Sequence, residues 1–89
     1  MTKKQIIQAP KAPKAIGPYN VANRYHDLVF TAGQLGLDPA TGELVPGGIE
    51  AEVRQALTNL KNVLEASGSD LRCVLKTTVF LRDIGDFAK

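Results

Sequence analysis

Apolar and polar positions alternate in short runs near both ends of the chain and recur at helical spacing in its middle. Residues 4–8, Lys-Gln-Ile-Ile-Gln, are β-branched at the centre and polar at the margins, which predicts an edge strand. Pro10, Pro13 and Pro18 follow, each lacking a backbone donor and restraining the residue before it, so this stretch is predicted as a loop. Two strands are predicted over 19–24 and 28–33, joined as a hairpin through Tyr25, His26 and Asp27. Asp38-Pro39-Ala40-Thr41-Gly42-Glu43 has the chemistry of a turn.

From Ile49 the apolar residues Val53, Ala56, Leu57, Leu60, Val63 and Leu64 form one helical stripe, predicting a helix over 49–67. Gly47 and Gly48 open it, Glu50 and Glu52 suit its positive end, and Gly68 is positioned as a left-handed cap. Arg54, Asn59, Lys61 and Glu65 are expected outside. A last strand is predicted over 71–83, with Leu75, Thr77, Val79 and Leu81 on its core face. Its other face mixes Val74, Lys76, Thr78, Phe80 and Arg82, as suits a partner surface or a cleft. Asp86 then reads as the cap of a second helix with Phe87, Ala88 and Lys89. The chain is therefore expected to end inside an element.

This order gives an α+β layer architecture with helices on one face of a sheet. The expected unit is a single domain over 1–89, incomplete at its C-terminal end. A chain of 89 residues buries only about 60% of the surface it exposes when unfolded, so association would help it considerably.

Hydrophobic content of 44% and charged content of 22% are those of a globular chain. Eleven Lys+Arg against nine Asp+Glu leave a net charge of +2, too small to make nucleic acid or an anionic membrane the expected partner. Lys3, Lys4, Lys11 and Lys14 make the start locally basic, which reads as a solvated segment. No apolar run approaches the ~18 residues of a membrane span, and Met1 to Gln8 lacks a signal or transit pattern, so a cytoplasmic location is expected. Cys73, the single cysteine, excludes an internal disulfide and reads as a small buried hydrophobe. His26, the single histidine, has no second ligand nearby and reads as a turn residue rather than a metal ligand or base.

Several stretches together resemble one family. They are Ala12-Pro13 through Ala15-Ile16-Gly17-Pro18-Tyr19; Val29-Phe30-Thr31-Ala32-Gly33-Gln34; Asp38-Pro39-Ala40-Thr41-Gly42; Asn59-Leu60-Lys61-Asn62-Val63-Leu64-Glu65-Ala66; and Val74-Leu75-Lys76-Thr77-Thr78-Val79-Phe80-Leu81. In this order, over nearly the whole chain, they resemble the reactive-intermediate deaminase (RidA/YjgF) family. The resemblance implies a chorismate-mutase-like α+β protomer with a mixed sheet, a homotrimer, and ligand clefts at subunit interfaces. It implies hydrolysis of 2-iminoacids and their enamine tautomers, such as 2-iminobutanoate and 2-iminopropanoate, to 2-oxoacids and ammonia, with no cofactor and no metal. An imine is already an electrophile, so such a site need only hold the carboxylate, polarise the imine and place a water.

Carried onto this sequence, the resemblance makes Tyr19, Ala32 and Gly33 the substrate-binding residues: the Tyr19 phenol borders the ligand and the Gly33 N–H approaches it. Ala32 replaces the family's usual serine and removes a hydroxyl from the site. The family's carboxylate-binding arginine follows a Pro-Ala pair, and Arg24, Arg54, Arg72 and Arg82 do not match it. Nor do the cysteine and glutamate that follow this arginine in the family fall within the sequence, so its catalytic residues are left unassigned; the activity is expected of a complete protein with the C-terminal segment, and the 89 residues alone are expected to be inactive. The competing reading is a non-enzymatic trimeric interaction or chaperone-like member, or a translation-inhibitor type. A trimer is expected to use the mixed face of Lys76, Phe80 and Arg82.

Overall fold

The computed structural model describes residues 4–17 and 19–88. Lys3, Pro18 and Lys89, which enter the readings above, lie outside the described residues. Three strands, β1 (Gln5–Ile7), β2 (Ala22–Tyr25) and β3 (Leu28–Thr31), form one antiparallel sheet in the order β1-β2-β3. The register pairs Ile7 with Ala22, Ala22 with Thr31 and Tyr25 with Leu28. The expected edge strand and hairpin are therefore present, each strand shorter than predicted. A two-residue turn, His26-Asp27, closes the hairpin, with His26 at φ 52. The His26 ring meets the Tyr25 ring edge-on at 4.3 Å.

The register settles what each sheet face carries, since side chains alternate along a strand. Ile7, Ala22 and Val29 share the face turned to the helix α1 (Gly48–Ala66), where they join Ala9, Ala12 and Val63 in the core. Arg24 lies on this same face, and its guanidinium donates to Ser67 O at 3.5 Å, tying β2 to the end of α1. The opposite face presents Ile6, Tyr25, Leu28 and Phe30 to solvent.

Helix α1 begins after Gly47 and ends in a left-handed cap at Gly68, φ 82. Gly68 N–H donates to Glu65 O at 3.1 Å and Ser69 N–H to Leu64 O at 2.8 Å, which satisfies two terminal carbonyls. Its buried side differs from the predicted stripe. Val63 and Leu64 are buried as expected, but Leu60 is only half-buried, Val53 is exposed and Leu57 is 53% exposed. Asn59, expected outside, is wholly buried. The centre of the buried face runs through Ala56, Asn59 and Val63, because the segment lying against α1 there offers backbone carbonyls rather than apolar side chains.

Residues 36–45 fold back on themselves. Leu37 and Leu44 bridge, Asp38 N–H donates to Glu43 O at 2.8 Å, and the Asp38 carboxylate accepts from Ala40 N–H at 2.8 Å. The turn predicted at Asp38–Gly42 is thus the one observed.

The last third departs from expectation. Leu71–Cys73 forms a 3-10 turn capped by the Asp70 side chain, and residues 74–81 join no ladder. A strand exists only where a neighbour supplies the other half of its hydrogen bonds, and none of the described residues does so for this segment. The face read as core is open in consequence, with Leu75 90% exposed, and on the mixed face Phe80 is 91% exposed. Cys73 is likewise exposed rather than buried. Ile84–Ala88 is a 3-10 turn. Asp83, not Asp86, opens it: its carboxylate accepts from Gly85 N–H at 2.9 Å and its carbonyl from Asp86 N–H at 3.0 Å. No helix among the described residues is long and apolar enough to cross a membrane.

Candidate functional site

Ala32 and Gly33 follow β3 directly, and Tyr19 stands in the loop that leads into β2. Ala32 N–H donates to Val21 O at 2.9 Å, which extends the pairing one step beyond Ala22–Thr31. In sequence all three positions therefore adjoin the strand ends opposite the His26 turn.

Tyr19 is held by its own loop. Its N–H donates to Gly17 O at 2.8 Å, its hydroxyl accepts from Ile16 N–H at 3.5 Å, and a Cβ added at Gly17 would touch its ring at 3.5 Å. Tyr19 is 47% exposed and so offers a surface to a ligand. Ala32 is half-buried. Gly33 is exposed, a Cβ added there would meet nothing within 4 Å, and no hydrogen bond among the described residues takes up its N–H. An exposed aromatic ring and an unengaged backbone donor are each groups that can meet a small planar anion or a polarised carbonyl or imine.

Beyond Gly33 the chain runs onto α1. Gly36 is buried with its backbone against the helix: a Cβ there would lie 2.6 Å from Glu52 O and 2.7 Å from Glu52 Cα. The Asn59 amide donates to Leu35 O at 3.0 Å and to Leu37 O at 2.9 Å, while its oxygen accepts from Gln55 Nε2 at 2.9 Å. Reading the sequence by polarity missed both residues. The available signal was the spacing of Gln55 and Asn59, one helical turn apart on a face otherwise apolar.

The remaining candidates stand elsewhere. Arg24 is committed to Ser67 O and His26 O. Arg72 forms an ion pair with Asp70 at 3.0 Å. That hydrogen-bonded guanidinium, and then the Arg72 N–H, hold the Asp70 carboxyl below its ordinary range. Among the described residues no group of His, Cys, Asp and Glu is arranged to hold a metal ion.

The arrangement is that of an α+β layer protein. The sequence profile of the Endoribonuclease L-PSP family matches residues 9–89. The chain belongs to this family, that of the RidA/YjgF proteins. It is 51% identical over 85 residues to the 2-iminobutanoate/2-iminopropanoate deaminase of Bos taurus, covering 96% of this chain and 62% of the bovine one. The structure of RidA from the Antarctic bacterium Psychrobacter superposes with a TM-score of 0.91 at 44% identity, over 94% of this chain and 68% of that one. E. coli TdcF with bound serine gives a TM-score of 0.89 at 39% identity, covering 94% of this chain and 65% of TdcF. The chain spans 62% of the length of the bovine deaminase.

Proposed function

We propose that the protein acts in the hydrolytic deamination of small 2-imino and enamine acids, 2-iminobutanoate and 2-iminopropanoate among them. Water adds to the imine carbon, the carbon–nitrogen bond breaks, and the nitrogen leaves as ammonia with a 2-oxoacid remaining. The observation that carries this reading is the 51% identity to a deaminase of that name, extending over 96% of the chain. Tyr19, Ala32 and Gly33 all fall within the matched family region, residues 9–89. In this reading the Gly33 N–H faces the ligand and the Tyr19 ring covers one side of it. An E. coli relative that holds serine is consistent with a ligand of this size and charge.

The substrate is electrophilic before it binds, so the reading calls for neither metal nor cofactor. The working unit is a cytoplasmic homotrimer with clefts at its subunit contacts. Sedimentation that finds only monomer would refute the trimer. A coupled assay of the full-length protein with an enzyme that releases 2-iminobutanoate tests the activity without added metal: accelerated 2-oxobutanoate formation is expected. A rate equal to spontaneous hydrolysis refutes the deaminase and leaves the non-enzymatic reading.

A further inference from the structure

Between β3 and the turn at Asp38, the chain is fixed at two places and open in between. At one end Ala32 N–H is bonded to Val21 O at 2.9 Å. At the other, one buried side chain, Asn59, holds the carbonyls of Leu35 and Leu37 at 3.0 and 2.9 Å. Gly36 lies so close to the Glu52 backbone that the strap cannot be pressed further onto α1. Only Gly33 and Gln34 lie between the anchors, and Gly33 carries the unengaged N–H.

We propose that Asn59 is a positioning residue for the Gly33 donor. Its amide acts as a two-pronged clamp that sets the height and direction of the 33–37 strap against the sheet end where Tyr19 stands. The inference rests on the ligand reading given above and adds to it the residue that pre-organises the site. Three features of Asn59 support a role beyond filling space. It is wholly buried. Both amide hydrogens go to the strap, none to its own helix. Its oxygen is held by Gln55 Nε2 at 2.9 Å, which fixes which end of the amide points at the carbonyls. A leucine at this position would bury as well but would leave two carbonyls without donors and the strap free to lift. A donor displaced by a fraction of an ångström loses much of its worth to a bound ligand, because hydrogen bonds weaken steeply with distance and angle.

The test compares Asn59→Ala with Leu64→Ala, a buried residue of the same helix that makes no hydrogen bond to the strap. A milder variant, Gln55→Ala, removes only the group that orients the clamp and keeps the proposal testable if Asn59→Ala does not fold. The strap has its own reporter, since Val45 N–H donates to Gly36 O at 2.9 Å. Under conditions where each variant is folded, Asn59→Ala and Gln55→Ala should speed Val45 amide exchange and weaken 2-oxobutanoate binding, by about tenfold or more for Asn59→Ala. Leu64→Ala should lower Tm yet leave both readouts unchanged. Equal effects from Leu64→Ala, or normal affinity in Asn59→Ala, overturn the proposal. These measurements use the full-length protein, and if its unmodified form does not bind 2-oxobutanoate, the deaminase reading fails. Val45 exchange then decides the clamp alone, and protection retained in Asn59→Ala refutes it.

Discussion

Replacing Gly36 by alanine adds a single carbon, and the structure makes it a severe change. The new Cβ would stand 2.6 Å from Glu52 O, 2.7 Å from Glu52 Cα and 3.0 Å from Glu52 C. These are helix backbone atoms, which cannot rotate away as a side chain would. Ordinary carbon contacts lie at about 3.5–4.0 Å, so strap and helix must separate by about 1 Å. That overpacking costs about 1–3 kcal/mol. The same movement stretches the bonds from Asn59 to Leu35 O and Leu37 O, now 3.0 and 2.9 Å. Leaving a buried amide poorly paired adds about 1–3 kcal/mol. Because the two effects share one displacement, a combined loss of about 2–4 kcal/mol is expected rather than the full sum. In a domain of this size each kcal/mol shifts Tm by about 4–8 °C. Urea unfolding of Gly36→Ala beside Gly33→Ala is the assay. Gly33→Ala meets nothing within 4 Å and should unfold at nearly the original midpoint. An unchanged midpoint for Gly36→Ala, or an equal loss for Gly33→Ala, would refute the reasoning.

Three further outcomes are expected. Gly68→Ala places a side chain at φ 82 in the helix cap and should cost about 1 kcal/mol in chemical denaturation, whereas an unchanged midpoint would mean that the cap relaxes freely. Leu60→Ala should cost about 1–2 kcal/mol, below the ~2–5 of a closed core, and Val63→Ala should weigh more per carbon removed because Val63 is fully buried while Leu60 is half-exposed. Arg72 lowers the folded-state pKa of Asp70, so the contact's stabilisation is present above the ordinary carboxylate pKa and is lost as pH falls through the lowered value. A carbon NMR titration should find Asp70 moved upward in Arg72→Ala, and identical curves in both proteins would rule the coupling out.

What the sequence made legible was whatever is decided locally. The hairpin needed only two short strand-forming runs and a short polar connection. The Asp38–Gly42 turn carried its own side-chain acceptor, and Gly68 marked the helix end through its backbone freedom. The 71–83 segment has the same alternation as a real strand and yet forms no ladder, because strand formation depends on a second piece of chain that alternation cannot supply. Cys73 went wrong with it: its burial was inferred from a core that the described residues do not build. Asn59 was misread for a related reason. Polarity predicts an outward position only where the inner side offers no polar partner, and here the inner side offers two carbonyls.

Gly33 and Gly36 show where sequence reading of the site stops and what the structure adds. Three residues apart in one loop, they are equivalent by composition and pattern. At Gly36 the missing side chain is accounted for within the molecule, since the helix backbone occupies the space. At Gly33 nothing within the described residues accounts for it: the space is open, φ lies outside the left-handed region, and the N–H is not engaged. In the proposed reading the bareness of Gly33 serves a ligand; otherwise the position tolerates a side chain. Gly33→Val therefore separates the two explanations. It should leave unfolding unchanged and remove 2-oxobutanoate binding, and normal binding in that variant would move the cleft away from this strand.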